Sequence, residues 1–480
     1  MKWIIQIPNF QGGLAPGYWL SDYPGIGNAN MAGKMQNIDL TNPKIMTAGA
    51  DLTVLANGNE SGVVNELIKG IIDYAVDKDT TFGISATKLF KIGANGVYNG
   101  GGFPHTITDA VSGQDTAYYN EAIYYSYNKS QSGDIGEYNT KTHKFNDDWG
   151  TTIPTGKKGL QRDVPHPLLA AGNGRLYIGN KNYVSFYNGT IFVEKDLDLP
   201  KDCVVQDLVW YLNKVFVATN RPDVSGDNKN IASLYVWDGY SDTWDDEFTI
   251  KGRITALHIR NNRLYVFWED LTAGQRLSLM DMTEGALRDL AIYSGSSPLF
   301  YQVTDYKNHI IWVSDDDIFA FGTIDDNLPA KFFQLCSTGY STGGGIASPF
   351  SAPIVASTNN TNYQIAKFEN YDIDSNWKSL LIDVTGERGE GESTIEKVIL
   401  NFETLELGAR ADVTLKDESG NSVGDTIVVS YVNEGAVHQK IKQVGATCDN
   451  FRVEIDNSNG SSTKPVKFKS ITIVGNTTEK

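Results

Sequence analysis

Asn173-Gly174-Arg175-Leu176-Tyr177-Ile178 is a polar turn, a basic residue, then alternating aliphatic and aromatic positions. The phrase returns as Leu212-Asn213-Lys214-Val215-Phe216-Val217, as Asn261-Asn262-Arg263-Leu264-Tyr265-Val266 and as Lys307-Asn308-His309-Ile310-Ile311-Trp312. Weaker copies stand at Thr81-Phe82-Gly83-Ile84, Ala122-Ile123-Tyr124-Tyr125 and Pro353-Ile354-Val355-Ala356. The step between copies averages about 45 residues, a period that belongs to repeat architectures. A second phrase follows the first: Val184-Ser185-Phe186-Tyr187-Asn188-Gly189, then Leu234-Tyr235-Val236-Trp237-Asp238-Gly239, with looser versions at 88–93 and 318–322. Its Asn-Gly and Asp-Gly pairs supply the positive φ angles of tight hairpins. An apolar run such as Ile254–Ile259 precedes the first phrase, and an outer strand such as Phe192–Lys195 follows the second.

Each unit therefore reads as four short strands in about 45 residues, the size of a β-propeller blade. One twisted four-stranded sheet cannot cover its own two faces, whereas blades stacked around an axis bury one another. The spacing predicts an all-β chain with a propeller over residues 34–375. Seven copies imply seven blades, with six or eight open because the end copies are faint. The last blade is short of a strand, so the ring is expected to close with one from the N-terminal side, near Met35-Gln36-Asn37-Ile38-Asp39-Leu40.

Two regions lie outside the repeat. Residues 1–33 have no strand or helix period and carry Phe10, Tyr18, Trp19 and Tyr23. They read as an extended arm, folded on its own propeller or docked on a neighbouring subunit by its aromatic anchors. From about Trp377 the strands lengthen and alternate cleanly, as in Glu396–Phe402, Ala411–Lys416, Thr426–Tyr431, Phe451–Ile455 and Val466–Ile473. About seven such strands predict a β-sandwich over 376–480. Glu387–Glu392 reads as an exposed connection.

Composition bounds the function. The chain has 480 residues, 47 of them glycine, and a net charge of −17. No cluster of Lys and Arg offers a phosphate-binding groove, so a nucleic-acid clamp is not expected. No apolar run approaches the ~20 residues of a membrane span, so membrane insertion is not expected. Met1–Pro8 is too short and interrupted for a secretory signal, so export by that route is not expected either. Cys203, Cys336 and Cys448 are odd in number and far apart, which reads as buried or free thiols.

No catalytic, cofactor-binding or metal-binding residue can be named. The chain lacks a phosphate-binding loop and a GxSxG elbow. Histidines 105, 143, 166, 258, 309 and 438 are scattered, and His258 and His309 fall inside strand phrases with a structural role. Ser132-Gly133-Asp134-Ile135-Gly136-Glu137-Tyr138 is similar to the Asp-box of sialidases, a turn-stabilising element, and stands alone. Asp223–Asn228 and Ser314–Asp317 carry oxygen ligands that calcium could use but lack EF-hand spacing, and read as solvated acidic turns. Tyr187, Trp237, Tyr240 and Trp244 could stack on sugars, yet their repetition from blade to blade marks most as packing residues.

The repeated phrases, typified by Gly174–Gly189, resemble those of propeller proteins in tailed-bacteriophage virions, the tail-nozzle and neck-tail structural type. The run from Phe451–Ile455 to Ile471–Ile473 resembles a terminal sandwich of phage structural proteins. This resemblance implies a non-enzymatic structural component of a tail or neck, a nozzle-like homo-oligomeric ring around the DNA exit channel. Its partners would be other virion proteins (portal, adaptor or tail), its place the virion assembled in the host cytoplasm, and no cofactor is implied. An acidic wall would let DNA pass without holding it. The alternatives are a receptor- or glycan-binding propeller on a tail tip, and a propeller enzyme that degrades polysaccharide.

Overall fold

The computed structural model describes residues 2–7, 10, 20–21, 32–41, 45–149, 160–222, 231–270, 274–293, 295–322, 330–371, 375–384, 391–458, 460 and 463–479. Every copy of the first phrase lies on the second strand of one blade: Thr80–Ile84, Ala122–Lys129, Leu176–Asn180, Lys214–Asn220, Arg263–Asp270, His309–Ser314 and Ile354–Thr358. The second phrase is the third strand. Blades two to six are each a four-stranded antiparallel sheet, such as Val204–Tyr211, Lys214–Asn220, Ile231–Trp237 and Asp246–Lys251 in the fourth. Blades one and seven complete a seven-bladed β-propeller. The polar turn of the phrase joins first and second strands through left-handed residues, paired at Leu212 and Asn213 (φ 50° and 59°) and at Asn261 and Asn262 (φ 46° and 54°), single at Gly174 (φ 77°) and Lys307 (φ 50°). Such turns match the right-handed twist of the flanking strands.

The ring closes with a strand from the N-terminal side, but not the expected one. Ala50–Asn59 pairs antiparallel with Tyr363–Tyr371 and supplies the outer strand of the seventh blade. Met35–Leu40 is excluded from that role because buried Asn37 takes φ 53° and splits it into Ala32–Gln36 and Ile38–Asp39. The first piece pairs with Asn376–Ser379 and the second with Thr47–Ala48.

Of the expected arm, the described Lys2–Ile7 is a strand of the sandwich and does not fold on the propeller. Lys2–Ile7 forms six residue pairs with Phe468–Glu479, from Lys2 opposite Asn476 to Ile7 opposite Ile471. The physical reason is the alternation of Trp3, Ile5 and Ile7, which puts one apolar face on the sandwich core. Phe10 is buried edge-on against Trp377 at 5.0 Å. Tyr18, Trp19 and Tyr23 lie outside the described residues.

The C-terminal strands form two sheets packed face to face. One runs Lys2–Ile7, Phe468–Glu479, Gly391–Phe402, Gln439–Thr447; the other is built on Arg410–Lys416 and Asn450–Asp456. Val398, Leu400, Ile471 and Ile473 of the first meet Val413, Leu415, Val453 and Ile455 of the second. That buried cluster does not stop at the sandwich. It continues through Met35, Ile38, Leu40 and Met46 to Ile311, Phe333 and Leu335 of the sixth blade. Met46 and Phe468 exchange two main-chain hydrogen bonds of 2.9 Å. Of the Glu387–Glu392 stretch, only Gly391 and Glu392 are described, and they open a strand.

Candidate functional site

The innermost strands of blades two to seven, together with the stretch 68–73 of the first blade, carry polar groups that bond from blade to blade. Asp115 and Asp207 each stand just after a bulge, between Gly113 and Asp115 and between Val205 and Asp207. A bulge locally twists the strand and re-aims a side chain. Each carboxylate thereby reaches the neighbouring blade. Asp115 accepts from its own Thr116 N (2.8 Å) and from Leu168 N of the third blade (2.8 Å). Asp207 accepts from Leu208 N (2.7 Å) and from Leu257 N of the fifth (2.6 Å). Gln302 does the equivalent with the other polarity, donating to the carbonyl of Gly343 in the seventh blade at 2.8 Å. Asn220 adds a two-way clasp, bonding both the N–H and the C=O of Ile254 (2.9 and 2.7 Å).

Burial is the main influence on these carboxyls. It pushes Asp115 up to about 7 against the pull of its two N–H donors, and Asp207 up to about 8, with the charge of Asp115 adding to the rise. Both therefore carry a proton for part of the time near neutrality.

Further along the axis, a second cluster joins four blades. Asp73 of the first blade accepts from Ser348 N of the seventh and Thr304 Oγ1 of the sixth, both at 2.5 Å. Burial raises its pKa despite those donors. Asp305 of the sixth blade takes His258 Nε2 (2.9 Å) and Arg260 Nη1 (2.6 Å) from the fifth. Burial opposes its charge, but the histidine and the guanidinium outweigh it and hold the carboxyl below its usual range. Arg260 also donates to the carbonyls of His309 (2.9 Å) and Lys307 (3.0 Å).

Chemically this arrangement is a set of staples. Each of these aspartates is committed to donors on a neighbouring blade, so the wall holds shape and position around the axis. A hydrolytic pair would instead keep two carboxyls facing a shared open space at a fixed separation.

His309 is buried with neither ring nitrogen hydrogen-bonded, edge-on to Phe333, and burial pushes it down to about 3. His166 is also buried, its nitrogens facing the carbonyls of Gly179 (3.1 Å) and Gln161 (2.9 Å). The Asp-box-like stretch lies on strand Gly133–Asn139, where Asp134 meets Lys129 at 2.9 Å. Asp315 and Asp316 form a turn of the sixth blade, where Asp315 accepts from Ser296 N at 3.1 Å. Asp317 takes Gln334 Nε2 at 2.5 Å. Asp223–Asn228 lies outside the described residues. Among the described residues, no three His, Cys, Asp or Glu side chains converge on a metal-sized site.

Of the four aromatics that could stack on sugars, Trp237 is fully buried, Trp244 packs on Tyr235 at 5.0 Å and Tyr187 on Trp149 at 5.0 Å. Tyr240 is 60% exposed, but the Arg175 guanidinium covers its ring at 4.4 Å. A separate cavity of about 810 Å³ opens between the fourth and fifth blades, lined by Phe248, Trp268, Met280, Leu287 and the carboxylates of Asp270 and Asp289.

The axial aspartates were not picked out from the sequence. A signal was present in the repeat itself. Asp115, Asp207 and Gln302 each precede the residue that opens the second strand (Ala122, Lys214, His309) by the same seven positions.

By topology the chain is a β-propeller joined to a β-sandwich. No protein-family model matches it, and no curated protein matches its sequence. Among solved structures it is similar to the extracellular domain of BT4673 from B. thetaiotaomicron, with 12% identity over 82% of this chain and 47% of that one and a TM-score of 0.47. The chain thus spans about half the length of that domain. The WD40 domain of Neurospora crassa Pan2 is similar at 12% identity, over 68% of this chain and 97% of that one, TM-score 0.44. An exo-β-1,3-galactanase from Phanerochaete chrysosporium is similar at 12% identity, over 66% and 98%, TM-score 0.31. These likenesses concern the fold alone.

Proposed function

We propose that the protein is a non-enzymatic structural component of a tailed-bacteriophage tail or neck, a nozzle-like homo-oligomeric ring around the DNA exit channel. The observation that carries the reading is the use of the axial carboxylates. Asp73, Asp115, Asp207 and Asp305 are held by donors from adjacent blades, which suits a rigid building block. The net charge of −17 supports it, since an acidic wall does not retain phosphate. The ring of subunits, not the side-chain-lined axis of a single propeller, would enclose the DNA. Portal, adaptor or other tail proteins are its partners, and the virion its location.

Proteomics on purified particles tests this. The account expects the chain among the virion proteins, in fixed ratio to the portal. Its absence from the particles, together with depolymerisation of host polysaccharide that is lost in Asp73→Asn, would replace it with the enzyme reading. The cavity beside Trp268 favours a second reading, a receptor- or glycan-binding propeller on a tail tip, because its size and mixed lining suit a small amphipathic ligand. Glycan-array binding abolished by Trp268→Ala would support that reading.

A further inference from the structure

Among the described residues, the sheet that contains the N-terminal strand has two open edges, and they complement each other. Lys2–Ile7 and Gln439–Thr447 are the outermost strands of this four-stranded sheet, and among the described residues no strand pairs with the outer side of either. All three pairings in the sheet are antiparallel, so its two edge strands run in opposite directions. A second copy that continues the sheet by rotation about an axis along the strands would therefore meet the first as an antiparallel pair.

The side chains agree with that geometry. On Lys2–Ile7, Trp3, Ile5 and Ile7 belong to the sandwich interior, whereas Ile4 points outward and is 60% exposed. On Gln439–Thr447, Val444 and Ala446 pack on the core, whereas Ile441 is 54% exposed. Natural edge strands are usually guarded by lysines, prolines or bulges. Lys2–Ile7 pairs without a register break and has no proline and no charge after Lys2. The opposite edge is guarded at one end only: its pairing breaks register between Gln443 and Ala446, where Gly445 is left-handed (φ 65°), whereas Gln439–Gln443 pair regularly, with Lys440 turned away to Glu434 and the carbonyl of Val428 and Lys442 lying 3.9 Å from Asp425.

We propose that Lys2–Ile7 of one copy adds as an antiparallel strand to Gln439–Thr447 of the next, with Ile4 and Ile441 covering each other on the outer face. Main-chain hydrogen bonds supply the affinity in such strand addition, and the alternate side chains fix the register. The contact joins two different surfaces of the same chain, the head-to-tail kind that generates rings when the rotation closes. It rests on the ring reading and assigns that ring its contact.

Sedimentation velocity on the full chain tests it. The wild type self-associates. Ile4→Lys and Ile441→Glu each weaken association by about tenfold or more, because each places an unpaired charge in the contact. The double variant carrying both changes recovers most of the wild-type affinity, since the two charges meet across the contact. That recovery also rules out misfolding as the cause of the single-variant loss. If the wild type assembles and both single variants assemble equally well, the edge contact is wrong and the ring reading stands. If the wild type is monomeric at every concentration, both fall.

Discussion

Asp207 shows how one side chain can join two blades. Its two oxygens satisfy Leu208 N and Leu257 N, and both donors are orphaned if the carboxylate goes. A buried N–H without a partner costs roughly 1–3 kcal/mol. Asp207→Ala should therefore lower unfolding stability by about 3 kcal/mol in a denaturant titration, while a surface aspartate changed likewise has little effect. His309 gives a prediction in pH. Its folded pKa, about 3, lies below the ordinary 6.5, so the unfolded chain binds the proton first as pH falls. The stability it contributes is complete above about 6.5 and is lost as pH drops toward 3. His309→Phe keeps a ring against Phe333 and removes two unpaired buried nitrogens. It should flatten the acid limb of thermal stability between those values without loss at pH 8, as read by calorimetry. An unchanged acid limb would mean another group governs it.

At the scale of elements, the regular parts of the propeller were legible and the seams were not. The phrase around Arg175, Lys214, Arg263 and His309 marks second strands because a hairpin needs left-handed turn residues and a blade centre needs alternating apolar ones. Those are local demands, visible in local sequence. The closing strand is set by a tertiary contest. Met35–Leu40 and Ala50–Asn59 both alternate like strands, and the left-handed Asn37, together with the apolar surface offered by the sandwich, decides between them. The role of Lys2–Ile7 was hidden for the same reason, since its partner is more than 460 residues away. The axial staples were half-legible: Asp115, Asp207 and Gln302 recur at one repeat offset, but only their hydrogen bonds show that they reach the next blade. The ring seam itself depends on Gly345, where a Cβ would meet the Lys69 carbonyl oxygen at 1.7 Å. Gly345 N also bonds Ile68 O at 2.9 Å, so the inner strand of the seventh blade lies directly against the first. Gly345→Val should cost about 1–3 kcal/mol by overpacking this seam. Equal denaturation midpoints for variant and wild type would show that the seam can widen without penalty.

At the scale of the whole molecule, propeller and sandwich are tied through one buried cluster and the strands at 32–48. The chain enters through the sandwich, crosses to close the ring, runs round seven blades and returns. This path gives the two parts one shared core. The proposed assembly around a passage for DNA draws on its acidity, its stapled axis and the two outermost strands of the sandwich sheet. Electron cryomicroscopy of the source particles tests that claim most directly. The account predicts a symmetric ring at the tail or neck into which copies of the propeller and sandwich fit, lumen on the particle axis. A well-resolved tail and neck with no density for this chain, or single copies confined to peripheral fibres, would contradict it.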